Sequence, residues 1–149
     1  MIEQFGLYIL VFIVFLIIFR QRFTRQNTPI KSATKSLITL ALTNIPNEAE
    51  ILNILTLITQ FNIVLIVDKT VAAAETVLPL RAACGHKFLV SENSEGRVSI
   101  VRQLQPLLHL DCDGSVVERL QGKVQRVCVF ASLDETAALL QAETLANKT

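Results

Sequence analysis

Residues 36–67 read SLITLALTNIPNEAEILNILTLITQFNIVLIV. The first seven, Ser36 to Leu42, are apolar and β-branched without polar alternation, as suits a strand buried on both faces. Asn47, with Glu50 three residues on, is a capping-box arrangement that opens a helix. Along that helix, residues 47–61, the polar residues Asn53, Thr56 and Gln60 form one narrow stripe. A second apolar run, Asn62 to Val67, follows directly. Strand, helix, strand in this order is the start of a parallel sheet whose helices cover it.

The alternation continues downstream. VAAAETVLPLRAAC, residues 71–84, reads as a helix that Pro79 should break or kink, with Gly85 suited to the position past its end. HKFLVS, 86–91, is a third strand. SEGRVSIVRQLQ, 94–105, places Val98, Val101 and Leu104 at helical spacing, and Pro106 stops it. LLHLD, 107–111, is a fourth strand with Asp111 at its carboxyl end. SVVERLQGKV, 115–124, repeats the cap logic with Ser115 and Glu118, putting Val116, Val117, Leu120 and Val124 on one face. RVCVFA, 126–131, is a fifth strand, and a last helix begins at Ser132 with Glu135 three on. Five strands alternating with five helices predict an α/β fold: a doubly wound, mostly parallel five-stranded Rossmann-like sheet, covered on both faces. Alternation alone leaves the strand order open.

Upstream, the composition changes. The chain is 51% hydrophobic with a mean hydropathy of +0.47, and much of the excess sits in FGLYILVFIVFLIIF, residues 5–19, which has no charged residue. As a helix this run spans about 22 Å, short of a ~30 Å hydrocarbon core. Met1, Ile2, Phe23 and snorkelling arginines can make up the difference. A cleaved signal peptide would need a basic start and small residues at the cut. The start is MIEQ and the run ends in FRQR. A buried core helix would carry a polar stripe, which this run lacks.

The expectation is therefore one transmembrane helix, an uncleaved anchor over residues 5–23 with a short luminal end at 1–4. Arg20, Arg22, Arg25, Lys31 and Lys35 follow the run, and no acid lies between Glu3 and Glu48. Positive flanks stay cytosolic. Residues 24–35, polar and containing Pro29, read as a tether, and 36–149 as a cytosolic α/β domain. Cys84, Cys112 and Cys128 are odd in number and lack C-x-x-C spacing, which fits a reducing compartment. From Ser36 onward nine Lys and Arg stand against twelve Asp and Glu, a net charge of −3, with no nucleic-acid footprint.

Ligands of a doubly wound sheet bind at the carboxyl ends of its strands. The first such turn, LTNIPNEAE, has no glycine through which backbone N–H groups could approach a phosphate. Thr43 and Asn44 stand where an aspartate-nucleophile phosphohydrolase would need its aspartate. Asp68 with Lys69 reads as a solvated turn capping the next helix. In HLDCD, His109 and Asp111 share a strand face, but a metal would need ligands from elsewhere. Asp113 or Ser115 as a helix cap accounts for the same residues. G-x-S-x-G is absent. Arg97 and Arg102 lie roughly 140° apart around a helix and cannot clamp one anion. Each is expected to make its own ion pair, with only Arg102 pointing outward. Arg97 sits near the helix start, where a positive charge opposes the dipole, so it needs a specific anionic partner within the fold or across an interface. These readings favour an adaptor over an enzyme, with no cofactor and no small-molecule substrate.

GRVSIVRQLQPLLHLD, residues 96–111, resembles a motif of the peroxisome assembly protein 22 family, seen most plainly in its plant members. Gly96, Arg97, Val101, Arg102, Gln103, Leu104, Pro106, His109 and Asp111 match position by position. Gln105 replaces an acidic residue, and Leu107 and Leu108 stand where more polar and aromatic residues are usual. The close match covers this stretch, while the layout of anchor, tether and α/β domain matches over the whole chain. The resemblance implies a single-pass peroxisomal membrane adaptor with its carboxy-terminal domain in the cytosol. There it would anchor and stimulate a ubiquitin-conjugating enzyme, for import-receptor ubiquitination and recycling in peroxisome biogenesis. Two roles stay open for the motif. Arg97, Arg102 and Gln103 are candidates for partner contact. Gly96, Val101, Leu104, Pro106, His109 and Asp111 are candidates for a structural role. The competing class is a membrane-anchored α/β enzyme or cofactor-binding subunit whose ligand site lacks familiar motifs.

Overall fold

The computed structural model describes residues 36–146. The expected luminal end at 1–4, anchor at 5–23 and tether at 24–35 lie outside them. Among the described residues no helix is long and apolar enough to cross a membrane.

The apolar run that opens the domain becomes β1, Leu37–Leu42, and the chain continues through α1 (Glu48–Gln60), β2 (Asn62–Asp68) and a single turn, α2 (Lys69–Ala72). Next come α3 (Leu78–Cys84), β3 (Phe88–Ser91), α4 (Ser94–Leu104), β4 (Leu108–Asp111), α5 (Gly114–Leu120), β5 (Val127–Val129) and α6 (Leu133–Ala146). The five strands form one sheet in the order β3-β2-β1-β4-β5, and every pairing is parallel. β1 is central, and all of its residues from Ile38 to Leu42 are buried.

Period-two alternation splits the sheet into two faces. Ile38, Leu40 and Leu42 of β1, with Ile63, Leu65, Leu108 and Leu110, pack in one apolar cluster with Ile51, Ile54 and Leu57 of α1, Leu80 of α3 and Leu140 of α6. Val64 and Ile66 pack on the other face with Val98 and Val101 of α4 and Val116 and Leu120 of α5. The second apolar cluster is the smaller, because on this face β1 and β4 carry Thr39, His109 and Asp111, all fully buried.

Local signals set most helix ends. The capping box is formed as expected: Glu50 N–H donates to Asn47 Oδ1 at 2.9 Å and Asn47 N–H to Glu50 Oε2 at 2.8 Å. α4 is capped by Asn93, whose Oδ1 accepts from Gly96 N–H at 2.8 Å. It ends at Gln105 in a left-handed conformation, φ 46°, with buried Pro106 following. Gln105 Nε2 donates to Arg102 O at 2.7 Å and to Lys123 O at 3.3 Å, tying this end to the loop before β5.

Two expectations are corrected and one alternative is decided. Residues 71–84 are not one helix: α2, a 3-10 turn at Glu75–Val77 and α3 share the segment, and Pro79 sits in the first turn of α3. There its missing N–H removes no helical hydrogen bond, so it starts a helix instead of kinking one. His86 and Lys87 belong to a 3-10 turn, and β3 begins only at Phe88. Of the two cap candidates for α5, Asp113 takes the position, and Ser115 donates to it through N–H at 3.0 Å and Oγ at 2.7 Å.

Candidate functional site

From β1 the chain steps outward through β2 to the edge strand β3; α4 then carries it back over the sheet to β4, on the other side of β1. Strand order therefore reverses between β1 and β4, and ligand crevices in such sheets open at the carboxyl ends of the strands flanking this reversal. Two features occupy that region: a buried polar network under the start of α4, and a shallow cleft.

The network is centred on Arg97, whose side chain is 3% exposed. Its three nitrogens reach three different aspartates: Nε donates to Asp111 Oδ2 at 2.8 Å, Nη1 to Asp68 Oδ1 at 2.5 Å and Nη2 to Asp113 Oδ2 at 3.3 Å. Only a guanidinium offers such a planar fan of donors. The aspartates come from the end of β2, the end of β4 and the cap of α5, so one side chain joins three elements to α4. Ser91, at the end of β3, adds a fourth by donating its hydroxyl to Asp68 Oδ1 at 3.0 Å.

From Asp111 the network runs inward. Its Oδ2 lies 3.3 Å from His109 Nε2, and its Oδ1 accepts Asp113 N–H at 2.9 Å. His109 Nδ1 lies 2.8 Å from Thr39 Oγ1, its partner in the register of β4 on β1. A carboxylate only accepts, so Nε2 carries the hydrogen, and in the neutral ring Nδ1 accepts from the Thr39 hydroxyl. Thr39, His109 and Asp111 have the order of a nucleophile, a base and an acid. All three are fully buried, in the middle of a sheet, where no substrate can reach them. Among the described residues no buried side-chain nitrogen or oxygen lacks a partner. The arrangement is a brace, consistent with the rule that buried charge is held only when paired and hydrogen-bonded.

Asp113 is the outer member. The Ser115 hydroxyl bonded to its carboxylate holds its pKa below the ordinary value, helped by backbone N–H groups of Ser115 and Val116 and by the charge of Arg97, against the opposing effect of burial. Beside the brace, Arg119 of α5 makes a two-pronged pair with Glu95 of α4. That hydrogen-bonded contact lowers the Glu95 carboxyl and raises the Arg119 guanidinium.

The motif residues divide cleanly. Arg97 uses its donors inside the fold, which corrects its assignment to a partner surface and meets the alternative that its anion lies within the domain. Val101 is fully buried, Pro106 is buried, and Leu104 is half-buried against the smaller cluster. A Cβ at Gly96 would meet Asn93 Oδ1 at 3.5 Å and Ser91 Cβ at 4.0 Å, ordinary contacts that make no demand for glycine. Arg102 and Gln103 are exposed on the flank of α4. Among the described residues no salt bridge includes Arg102, which leaves a partner as the place for its expected ion pair. Asp68 is also corrected: it makes no side-chain cap to the next helix and serves Arg97 and Ser91 instead. Its neighbour Lys69 pairs with Glu92. Ser91 went unread because it carries no local signal, and Asp68 was read only as a cap; a polar residue ending each of β2, β3 and β4 was the trace they left.

The cleft is lined by Thr43, Asn44, Ile45, Glu50, Cys112 and Ser132, among others, and its volume is about 100 Å³. Thr43 Oγ1 and Cys112 Sγ meet at 2.8 Å across it. Small-molecule sites run to roughly 300–1,000 Å³, so this one admits a few waters and not a nucleotide. The neighbouring start of α1 is closed by its own capping box, with Glu48 and Glu50 in the first turn, a charge pattern that repels an anion. Among the described residues no group of three or more His, Cys, Asp or Glu is placed to hold a metal ion. No protein-family model matches the sequence, and no curated protein is similar to it at a significant level.

Proposed function

We propose that this chain is a peroxisomal membrane adaptor. It anchors a ubiquitin-conjugating enzyme on the cytosolic face and stimulates it, so that import receptors are ubiquitinated and recycled. The observation that carries the reading is the division of the stretch from Gly96 to Asp111. Its likeness to the peroxisome assembly protein 22 motif includes unusual polar residues in fixed register. Arg97, His109 and Asp111 form the brace, while Arg102 and Gln103 remain exposed on the helix that the brace fixes. A rigid helix with an exposed, uncommitted arginine is suited to recognising a carboxylate on a partner.

An adaptor of this kind acts without chemistry of its own. By holding the conjugating enzyme at the membrane that carries its substrates, it raises their effective concentration with no new contact between them. Stimulation requires in addition that the adaptor favour an active arrangement of the enzyme, through contacts that differ between its states.

The test is binding by the full chain in detergent. Arg102→Ala with Gln103→Ala should weaken affinity for the conjugating enzyme about tenfold or more, the loss expected when a central interface arginine is removed, and leave the melting temperature unchanged. Unchanged affinity would remove this flank from the interface. The rival, a membrane-anchored enzyme or cofactor-binding subunit, draws on the position of the cleft between the ends of β1 and β4. A small molecule retained by the purified chain and released by Thr43→Tyr would favour it.

A further inference from the structure

β5 is an open edge of the sheet: among the described residues no strand lies beyond it. Its bonds to β4 fix which backbone groups remain. His109 N–H donates to Arg126 O at 2.9 Å and Phe130 N–H to Asp111 O at 3.2 Å. The register is His109↔Val127, Leu110↔Cys128 and Asp111↔Val129. In a parallel ladder of this phase Cys128 turns its N–H and C=O towards β4, while Val127 and Val129 turn theirs outward. The outward row ends at Ala131, whose N–H donates at 2.7 Å to Glu135 Oε2 of its own chain. Between these limits the edge carries no device against pairing. It reads VCV, without proline or lysine, and Val129 is 53% exposed.

We propose that β5 pairs antiparallel with β5 of a second copy of this chain, about a two-fold axis at Cys128. Only this register engages both outward residues of each copy. Val127 of one copy then exchanges both backbone hydrogen bonds with Val129 of the other, and Val129 with Val127. The same pairs set β-branched side chains against each other across the strands and cover the exposed Val129. Antiparallel alignment also brings unlike charges together. Lys123 and Arg126, on the amino flank of β5, and Asp134 and Glu135, on its carboxyl flank, are all exposed. In a two-fold pair the basic flank of each copy meets the acidic flank of the other, whereas parallel pairing would set like against like. Cys128 stands opposite itself in a non-hydrogen-bonded pair, where Cα atoms approach to about 4.5 Å. Cα separations of roughly 4.4–6.8 Å admit a disulfide. The free thiol of Cys128 therefore reports the register without being needed for it. Three residues a side make a small contact, so the dimer is weak and depends on concentration.

The full chain in detergent, at rising concentration, is oxidised briefly with copper phenanthroline, and its disulfides are mapped by mass spectrometry. A link between Cys128 of one chain and Cys128 of another should dominate, with a yield that rises with concentration. Val129→Lys should lower that yield about fivefold or more, because a lysine on an edge strand opposes pairing. Its melting temperature should not change, since Val129 is exposed. Val129→Pro should lower the yield likewise, by removing an N–H that faces away from β4. Cys112, half-buried like Cys128, is the internal control. Links through Cys112 at a yield equal to that of Cys128 would show random encounter and overturn the pairing. So would the absence of a Cys128 link, the outcome if copies meet only through β3, and so would a yield that Val129→Lys and Val129→Pro leave unchanged.

Discussion

Arg97→Met keeps the aliphatic stem of the side chain and removes its five donors, stranding Asp111, which is fully buried, without its cation. Breaking a buried pair in this way costs about 3–5 kcal/mol. The midpoint of urea unfolding should fall accordingly at an unchanged slope, and Arg97→Lys should recover only part of the loss, because one ammonium cannot reach three carboxylates. Gly96→Ala, by contrast, should be neutral or stabilising by up to about 1 kcal/mol, since the site has room for a methyl group and alanine is the better helix former. A marked loss there would show a demand for glycine that the geometry does not contain. Asp113 makes a prediction in pH. Its folded pKa lies below the unfolded value, so its contribution is complete above the ordinary carboxylate range, near pH 4, and disappears as pH falls through the folded pKa. Asp113→Asn should therefore flatten the acid limb of the stability profile below about pH 4; an unchanged limb would mean that the carboxylate is not held. Of these residues the sequence made His109 and Asp111 legible as one face of a strand, and Arg97 as a charge in need of an anion. The anion itself was not legible. Asp68 and Ser91 lie 29 and 23 residues from their partners, and only the strand order brings them together.

At the scale of elements, what was legible is what is local. Asn47 and Glu50 satisfy each other's backbone N–H groups, so the start of α1 follows from four residues of sequence. Asn47→Ala should cost about 0.5–2 kcal/mol, measurable as a drop of several degrees in melting temperature; no drop would mean that the box is not formed in solution. The segment from 71 to 84 was misread because a proline in a helical pattern has two readings, break or start. Pro79 stands in the first turn of α3, where its missing N–H removes no helical hydrogen bond. The cap of α5 was left open between Asp113 and Ser115. Ser115 is a good cap by type, but Asp113 bonds Ser115 and Arg97 together, and the residue that serves both wins.

For the whole molecule, alternation of strand and helix was enough to give an α/β fold with a sheet covered on both faces, and the five-stranded parallel sheet agrees with it. Strand order was beyond reach, since parallel strands joined by helices can be wound outward or back without changing any local pattern. Yet that order, with β1 and β4 adjacent, creates the brace and the cleft. The functional reading depends on this same level: a helix fixed by buried charges, with its exposed flank offered to a partner, on a chain expected to be held at a membrane. The most direct measurement is affinity purification of the tagged full chain from detergent-solubilised peroxisomal membranes, with the amount of co-purified ubiquitin-conjugating enzyme determined by quantitative mass spectrometry. The account predicts a conjugating enzyme in near-equal molar amount, reduced by Arg102→Ala with Gln103→Ala although the variant chain is recovered at the same level. Recovery of the folded full chain with no conjugating enzyme above background would contradict it.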